Sequence, residues 1–234
     1  FVTLVAVLVT PLLEAVLDSP LSKAEAITGE ALSWVQEVRA KLDPQHLPQW
    51  PSLQVAAYCK PGADSAGDVC DVMKMPNGLA ALLIGHVTAS PVRTAQVTAQ
   101  LRGAFRVAGL HADPPHVQLK AMNWLLFDED DPCRVDMAVI VANPKTGAAE
   151  VASAGKIGAL VIDAKGAVRK VVSSQMPAVG TTKNHEYTGG GLRIVEGETL
   201  ALFTRGWTAV CNEAGSPLGE AKFVETLRDE FGQP

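Results

Sequence analysis

Three polar residues, each next to or near a glycine and close to one end of an apolar run, have the types and placement that chemistry needs. They are Asp68 in Ala66-Gly67-Asp68-Val69-Cys70-Asp71, His86 in Leu82-Leu83-Ile84-Gly85-His86-Val87-Thr88, and Arg205 in Leu200-Ala201-Leu202-Phe203-Thr204-Arg205-Gly206. Short apolar runs bounded by glycine read as buried strands, and the ends of such strands are where sheets present site residues. A carboxylate, an imidazole and a guanidinium admit several chemistries. Asp68 is a hard oxygen donor for a divalent ion. His86 with Asp68, and with Cys70 on the same face of an extended strand, is a partial ligand set for a softer ion such as Zn2+. Arg205 does not deprotonate, so it can hold a phosphate or fork onto a carboxylate; Asp68, if it is no metal ligand, is expected to be neutralised by Arg205 or hydrogen-bonded to backbone. Asp71 reads first as a structural carboxylate that caps or pairs near the strand end, and second as a metal ligand.

Other polar clusters carry less. His111, His116 and His185 have no partner at ligand spacing and are expected to be solvated. Asp128-Glu129-Asp130-Asp131 lacks the alternation and glycine of an EF-hand loop, so it reads as a solvated loop after a helix. Gly189-Gly190-Gly191 does not precede a helix; a mobile or tight loop is expected there rather than a phosphate cradle. No Gly-x-Ser-x-Gly elbow or Cys/His dyad is legible.

The elements that must position these residues follow from the pattern. At 234 residues, 47% hydrophobic and 19% charged, the chain can bury a sizeable core. Its net charge of −5 leaves no basic footprint, which argues against a nucleic-acid partner. Four widely spaced cysteines without a Cys-x-x-Cys pair read as core thiols of a cytoplasmic protein. Phe1–Leu13 is apolar but shorter than a membrane span, and is expected to be the last helix or strand of an upstream domain. The alternative is the tail of a membrane helix, which would make the chain the cytosolic part of a longer, tethered protein. Pro11–Leu42 reads as two helical segments able to serve as a linker or a homodimerisation arm, or equally to pack against their own domain. Three prolines within residues 43–51 close them, so residues 1–45 are set apart from a domain over 46–234.

Beyond that boundary strands dominate. Hairpins are expected around Pro76-Asn77-Gly78, Asn143–Gly147 and Ala164-Lys165-Gly166. Helices are expected at Pro91–Leu110, with Val97, Leu101, Ala104 and Phe105 on one face, at Pro115–Phe127, and at about residues 219–231. Strands, two central helices, more strands and a last helix describe an α+β sandwich with mainly antiparallel sheets.

With the motifs placed in this order, the chain resembles the metal-dependent serine/threonine phosphatases of the PPM superfamily, in the bacterial SpoIIE/RsbU branch of partner-switching signalling. The resemblance runs from about Leu47 to Leu227. Ala66-Gly67-Asp68-Val69-Cys70-Asp71 resembles the family's Gly-Gly-Asp-x-x-Asp, and Gly85-His86-Val87-Thr88 stands where the family has Gly-Asp-Val-Ser. Asn123 lies in the expected helix. Ala154-Gly155-Lys156 stands at Ala-Gly-His, and Glu196-Gly197-Glu198 through Gly206 resembles Pro-Gly-Asp…Thr-Asp-Gly.

The resemblance implies two packed sheets flanked by helix pairs, with two Mn2+ or Mg2+ ions at one edge activating a water for in-line attack on phosphorus. At Asp68, His86, Val87 and Arg205 it implies a degenerate site. Asp68 keeps one ligand, His86 replaces the aspartate that touches both metals, and Arg205 replaces a third carboxylate with a fixed cation. The expectation is a pseudophosphatase without cofactor. It would act as a regulatory module on a phosphorylated or unphosphorylated anti-sigma-antagonist-like protein, with Arg205 and Lys156 supplying charge for a phosphate. Two alternatives stand beside it: an active phosphatase with a rebuilt site using one metal held by Asp68 and His86, and a purely structural dimerisation domain.

Overall fold

The computed structural model describes residues 4–9, 37–38, 40–42, 44, 46–59, 67–172, 176–209 and 216–231. Among the described residues, ten strands form two five-stranded sheets. The first sheet has the order β2-β1-β10-β7-β8, built from β1 (Leu4–Val9), β2 (Gln54–Cys59), β7 (Gly158–Ile162), β8 (Val168–Val172) and β10 (Thr199–Phe203). The second has the order β3-β4-β5-β6-β9, built from β3 (Asp68–Lys74), β4 (Ala80–Thr88), β5 (Arg134–Ala142), β6 (Ala148–Ala154) and β9 (Gly189–Arg193). The second sheet is antiparallel throughout; in the first, β1 runs parallel to both β2 and β10.

Alternation along the strands sorts the core into layers. Cys70, Ile84 and Ala138 lie opposite one another in register and point into the core between the sheets, with Leu82, Ile140, Val161, Leu200 and Leu202. Their neighbours Val69, Leu83, Met137 and Val139 point the other way, onto α1 (Pro91–Leu110) and α2 (Pro115–Leu126). Val97, Leu101 and Phe105 of α1 and Leu119 and Met122 of α2 are fully buried there. On the outer face of the first sheet, Leu160, Ile162, Ala201 and Phe203 take Phe223 and Leu227 of α4 (Gly219–Phe231), next to the short α3 (Arg205–Ala209). The two central helices start where their prolines stand. Pro91 and Pro115 open α1 and α2 at positions where a missing N–H costs nothing, after residues held extended.

Two expectations change. Leu4–Val9 is a strand inside the first sheet, in register with Gln54–Cys59 on one side and Thr199–Phe203 on the other. A cut at residue 46 therefore divides this sheet. The physical reason is that a strand paired on both edges among parallel neighbours reads as an unbroken apolar run, which the sequence alone does not separate from the end of a helix. The triple glycine is likewise no loop but the start of edge strand β9, with Gly189, Gly190 and Gly191 opposite Ala152, Val151 and Glu150. A polar, glycine-rich strand carries no apolar period for a sequence reading to find. The helices read at 11–42 lie outside the described residues, apart from 37–38 and 40–42, which are helical.

Candidate functional site

The two sheets bring one set of strand ends together. β3 and β5 start there, and β4 and β6 finish there; in the other sheet β7 starts and β10 finishes at the same end. Asp68 pairs in register with His86, and His86 with Asp136 of β5, so the three side chains form one row on the inter-sheet face. This row lies two residues beyond the Cys70–Ile84–Ala138 row and closes the apolar core with polar groups. Asp68 is almost wholly buried, whereas a quarter of the His86 side chain reaches solvent. His86 Nδ1 lies 2.8 Å from Asp68 Oδ1. A carboxylate there accepts an Nδ1–H, which fixes the imidazole's tautomer and leaves Nε2 as its available nitrogen.

Asp136 is the member that sequence reading missed. Its Oδ1 accepts from Arg134 Nη2 at 2.8 Å. The only signal was its place two residues inside a strand whose deeper positions on that face, Ala138, Ile140 and Ala142, are apolar, a signal that becomes legible once the register is known. Two glycines make the row possible. Gly155, at φ +67°, ends β6 where a Cβ would come within 1.9 Å of Asp136 Oδ1. Gly67 passes so close to β4 that a Cβ would stand 1.8 Å from the Val87 carbonyl oxygen, and Val87 N–H donates to Gly67 O at 2.7 Å. Val87 itself packs its side chain toward the helices, away from the row.

Asp71 is held elsewhere. It lies on the opposite face of β3, fully buried beneath α1. Arg106 donates to both of its oxygens, from Nε at 2.8 Å and Nη2 at 3.1 Å. Arg102 Nε donates at 3.1 Å and the Val72 N–H at 3.0 Å. The hydrogen bonds from Arg106 to Asp71, opposed by a smaller cost of burial, push the Arg106 guanidinium above its ordinary pKa. The structural reading of Asp71 is thus what the geometry presents, and the metal reading fails on direction: alternation points it away from Asp68.

The expected Asp68–Arg205 fork is not formed. Arg205 opens α3 at the end of β10, exposed, with no ion pair among the described residues, and His86 is the partner within reach of Asp68 because the two are cross-strand neighbours. Lys156 is exposed in the turn that carries the chain from β6 in one sheet to β7 in the other, so it shares this end of the sandwich. Thr204, just before Arg205, is fully buried, and its hydroxyl has no hydrogen-bond partner among the described residues.

A pair of Mn2+ or Mg2+ ions needs several convergent oxygen donors. Among the described residues, no three His, Cys, Asp or Glu side chains converge as a metal-ligand group. Asp68 is committed to His86, Asp136 to Arg134 and Asp71 to the far face. Cys70 shares Asp68's face but sits one row deeper, in the apolar core. Among the described residues, this donor set supplies fewer convergent oxygens than a two-ion centre takes.

Support for the site comes from Asn123, buried in α2. Its Nδ2 donates to Thr182 O at 2.9 Å, while its Oδ1 accepts from Gly180 N–H at 2.8 Å and Tyr187 O–H at 3.2 Å. One amide thereby pins the 178–187 segment against the helices, and burial pushes the Tyr187 phenol up to about 12.

Residues 76–234, well over half of the chain, match the family model described as stage II sporulation protein E (SpoIIE). The chain belongs to the SpoIIE family. The match takes in His86 and Arg205 and starts after β3, so Asp68 and Asp71 precede it. Solved structures share the fold. The SiaA PP2C domain of Pseudomonas aeruginosa superposes with a TM-score of 0.60 at 20% identity, over 72% of this chain and 68% of that one. The PP2C phosphatase domain of SpoIIE with a fragment of its regulatory domain, from Bacillus subtilis, gives 0.53 at 13% identity, over 71% of this chain and 54% of that one. The RsbU and RsbW domains of a Mycobacterium tuberculosis protein give 0.50 at 20% identity, over 58% of this chain and 38% of that one. This chain therefore spans little more than half of the SpoIIE structure and well under half of the RsbU–RsbW one. No curated protein sequence matches it significantly. Among the described residues, no helix is long and apolar enough to cross a membrane.

Proposed function

We propose that this SpoIIE-family domain is a pseudophosphatase. In this reading it binds a regulatory protein of a cytoplasmic partner-switching circuit and does not hydrolyse its phosphoserine or phosphothreonine. The observation that carries the reading is the Asp68–His86 contact of 2.8 Å. The one carboxylate retained from the metal set is engaged by the residue that stands in place of the bridging aspartate. A cation at Arg205 in the third position adds repulsion toward any divalent ion, by several kcal/mol on the order-of-magnitude estimate for close charges at intermediate dielectric. Lys156 and Arg205, exposed at the same end and without ion pairs among the described residues, are suited to hold a partner's phosphate. Pairing of two copies through residues 11–42 belongs to the same proposal.

The test is calorimetric titration with Mn2+ beside hydrolysis of p-nitrophenyl phosphate, for the wild type and for the His86→Asp, Arg205→Asp double variant. The expected wild type takes up no ion and is inert, while the variant regains ion binding. Wild-type uptake of Mn2+ with turnover would overturn the proposal in favour of an enzyme with a rebuilt site. A phosphoserine peptide that binds equally to wild type and to a Lys156→Ala, Arg205→Ala variant would remove the phosphate-holding role.

A further inference from the structure

The outer side of α2 carries a second apolar stripe. Its inner side is buried through Gln118, Leu119, Met122 and Leu126. On the opposite side Val117, Ala121, Trp124 and Leu125 recur at helical spacing and face solvent, with Trp124 78% exposed. Isolated exposed apolar residues need no explanation, but a helical stripe with a nearly bare tryptophan is what interfaces are built from. The helix beneath it is fixed by the buried Asn123 hydrogen bonds, so the stripe is presented on a rigid element.

The rim of this stripe specifies its occupant. Trp124 and Phe127 line a shallow depression with Asp128, Glu129, Asp130 and Lys183. Lys183 Nζ lies 5.9 Å from the Phe127 ring centroid and 3.0 Å from Glu129 Oε1. The depression thus already holds one ammonium between an aromatic face and a carboxylate. Arg93 takes Asp131 at 3.1 Å. Asp128 and Asp130 have no cationic partner among the described residues, although Asp128 Oδ1 accepts the Asp130 N–H at 2.9 Å. The surface therefore offers a second aromatic face, Trp124, beside two carboxylates still unmatched by a cation.

We infer that the outer face of α2, from Val117 to Asp130, docks a partner protein through an amphipathic helix that bears lysine or arginine along the edge of its apolar face. Its apolar residues cover Val117, Trp124 and Leu125, and a cationic side chain stacks on Trp124 and pairs with Asp128 or Asp130. None of these residues belongs to the Asp68–His86 row or to the Lys156 and Arg205 pair. The inference stands whether or not a phosphate binds there.

The test titrates the protein with a short Leu/Lys amphipathic helical peptide and with its Leu/Glu counterpart, at low and at high salt. The Leu/Lys peptide is expected to bind and the Leu/Glu peptide not to bind. Trp124→Ala should weaken binding about tenfold or more, as loss of a central tryptophan anchor does. Asp128→Asn with Asp130→Asn should weaken it several-fold at low salt and less at high salt. Glu225→Gln, on the exposed face of α4, controls for general attraction between a basic peptide and an acidic protein and should change nothing. Because Trp124 is exposed, its replacement leaves the core intact, and Leu125→Ser is a second variant on the same stripe. Binding that is unchanged in both Trp124→Ala and Leu125→Ser would overturn the inference. So would equal binding of the two peptides, or a concentration-dependent dimer that Trp124→Ala abolishes, since the occupant would then be a second copy of this chain.

Discussion

Asp68 and Asp71 lie three residues apart on one strand, both almost wholly buried, and they have opposite fates. Asp71 faces α1 and receives three hydrogen bonds from two guanidinium groups and a fourth from a backbone N–H. Asp68 faces the gap between the sheets at their open end, and its described side-chain partner is a part-exposed imidazole. Strand alternation alone makes the difference. One carboxylate ties a strand to a helix through partners that stay charged at any ordinary pH. The other is held by a group that solvent can reach and that a ligand could engage. Burial and residue type do not distinguish a structural carboxylate from a site carboxylate; the partner and the face do.

Breaking the Asp71 cluster should have the largest effect. Asp71→Ala strands Arg102, which is largely buried, beside a half-exposed Arg106, and should cost about 3 kcal/mol, measured as a lowered denaturant midpoint at unchanged slope. Gly155→Ala comes next. It forces a Cβ against Asp136 at a positive φ, and a loss of about 2 kcal/mol is expected, with His86 resonances shifted in NMR spectra because the row it joins is displaced. Asp68→Asn should cost less, about 1 kcal/mol, because its partner His86 is part-exposed and an amide can still accept from Nδ1–H. If Asp68→Asn proved as costly as Asp71→Ala, the contrast between the two carboxylates would be wrong.

A buried polar group that has no charge sharpens the comparison further. The Tyr187 phenol titrates at about 12 in the folded chain against an ordinary value near 10. Its raised pKa contributes stability that is fully present below pH 10 and is lost as pH rises from about 10 to 12. Denaturation melts over that range should show the decline, and Tyr187→Phe should flatten it.

Much of this was legible from the residues. The two central helices begin and end as their prolines and apolar period dictate, and the hairpin turns sit where Pro-Asn-Gly and Ala-Lys-Gly place them. The SpoIIE resemblance rests on motifs whose order survives in the fold. Less legible were β1, whose run of apolar residues has no period to betray a strand, and β9, whose glycines have no apolar residues at all in their first three positions.

What the sequence by itself determined is the set of elements and the chemical types available at their ends, because period, capping and turn chemistry are local. What only the tertiary structure decided is pairing. The guanidiniums of Arg102 and Arg106, 31 and 35 residues away, went to Asp71; His86 went to Asp68; and Arg205, the partner expected for Asp68, was left in solvent at the end of the other sheet. Register and sheet order set those distances, and they arise from contacts between segments far apart in the chain, which no local pattern encodes.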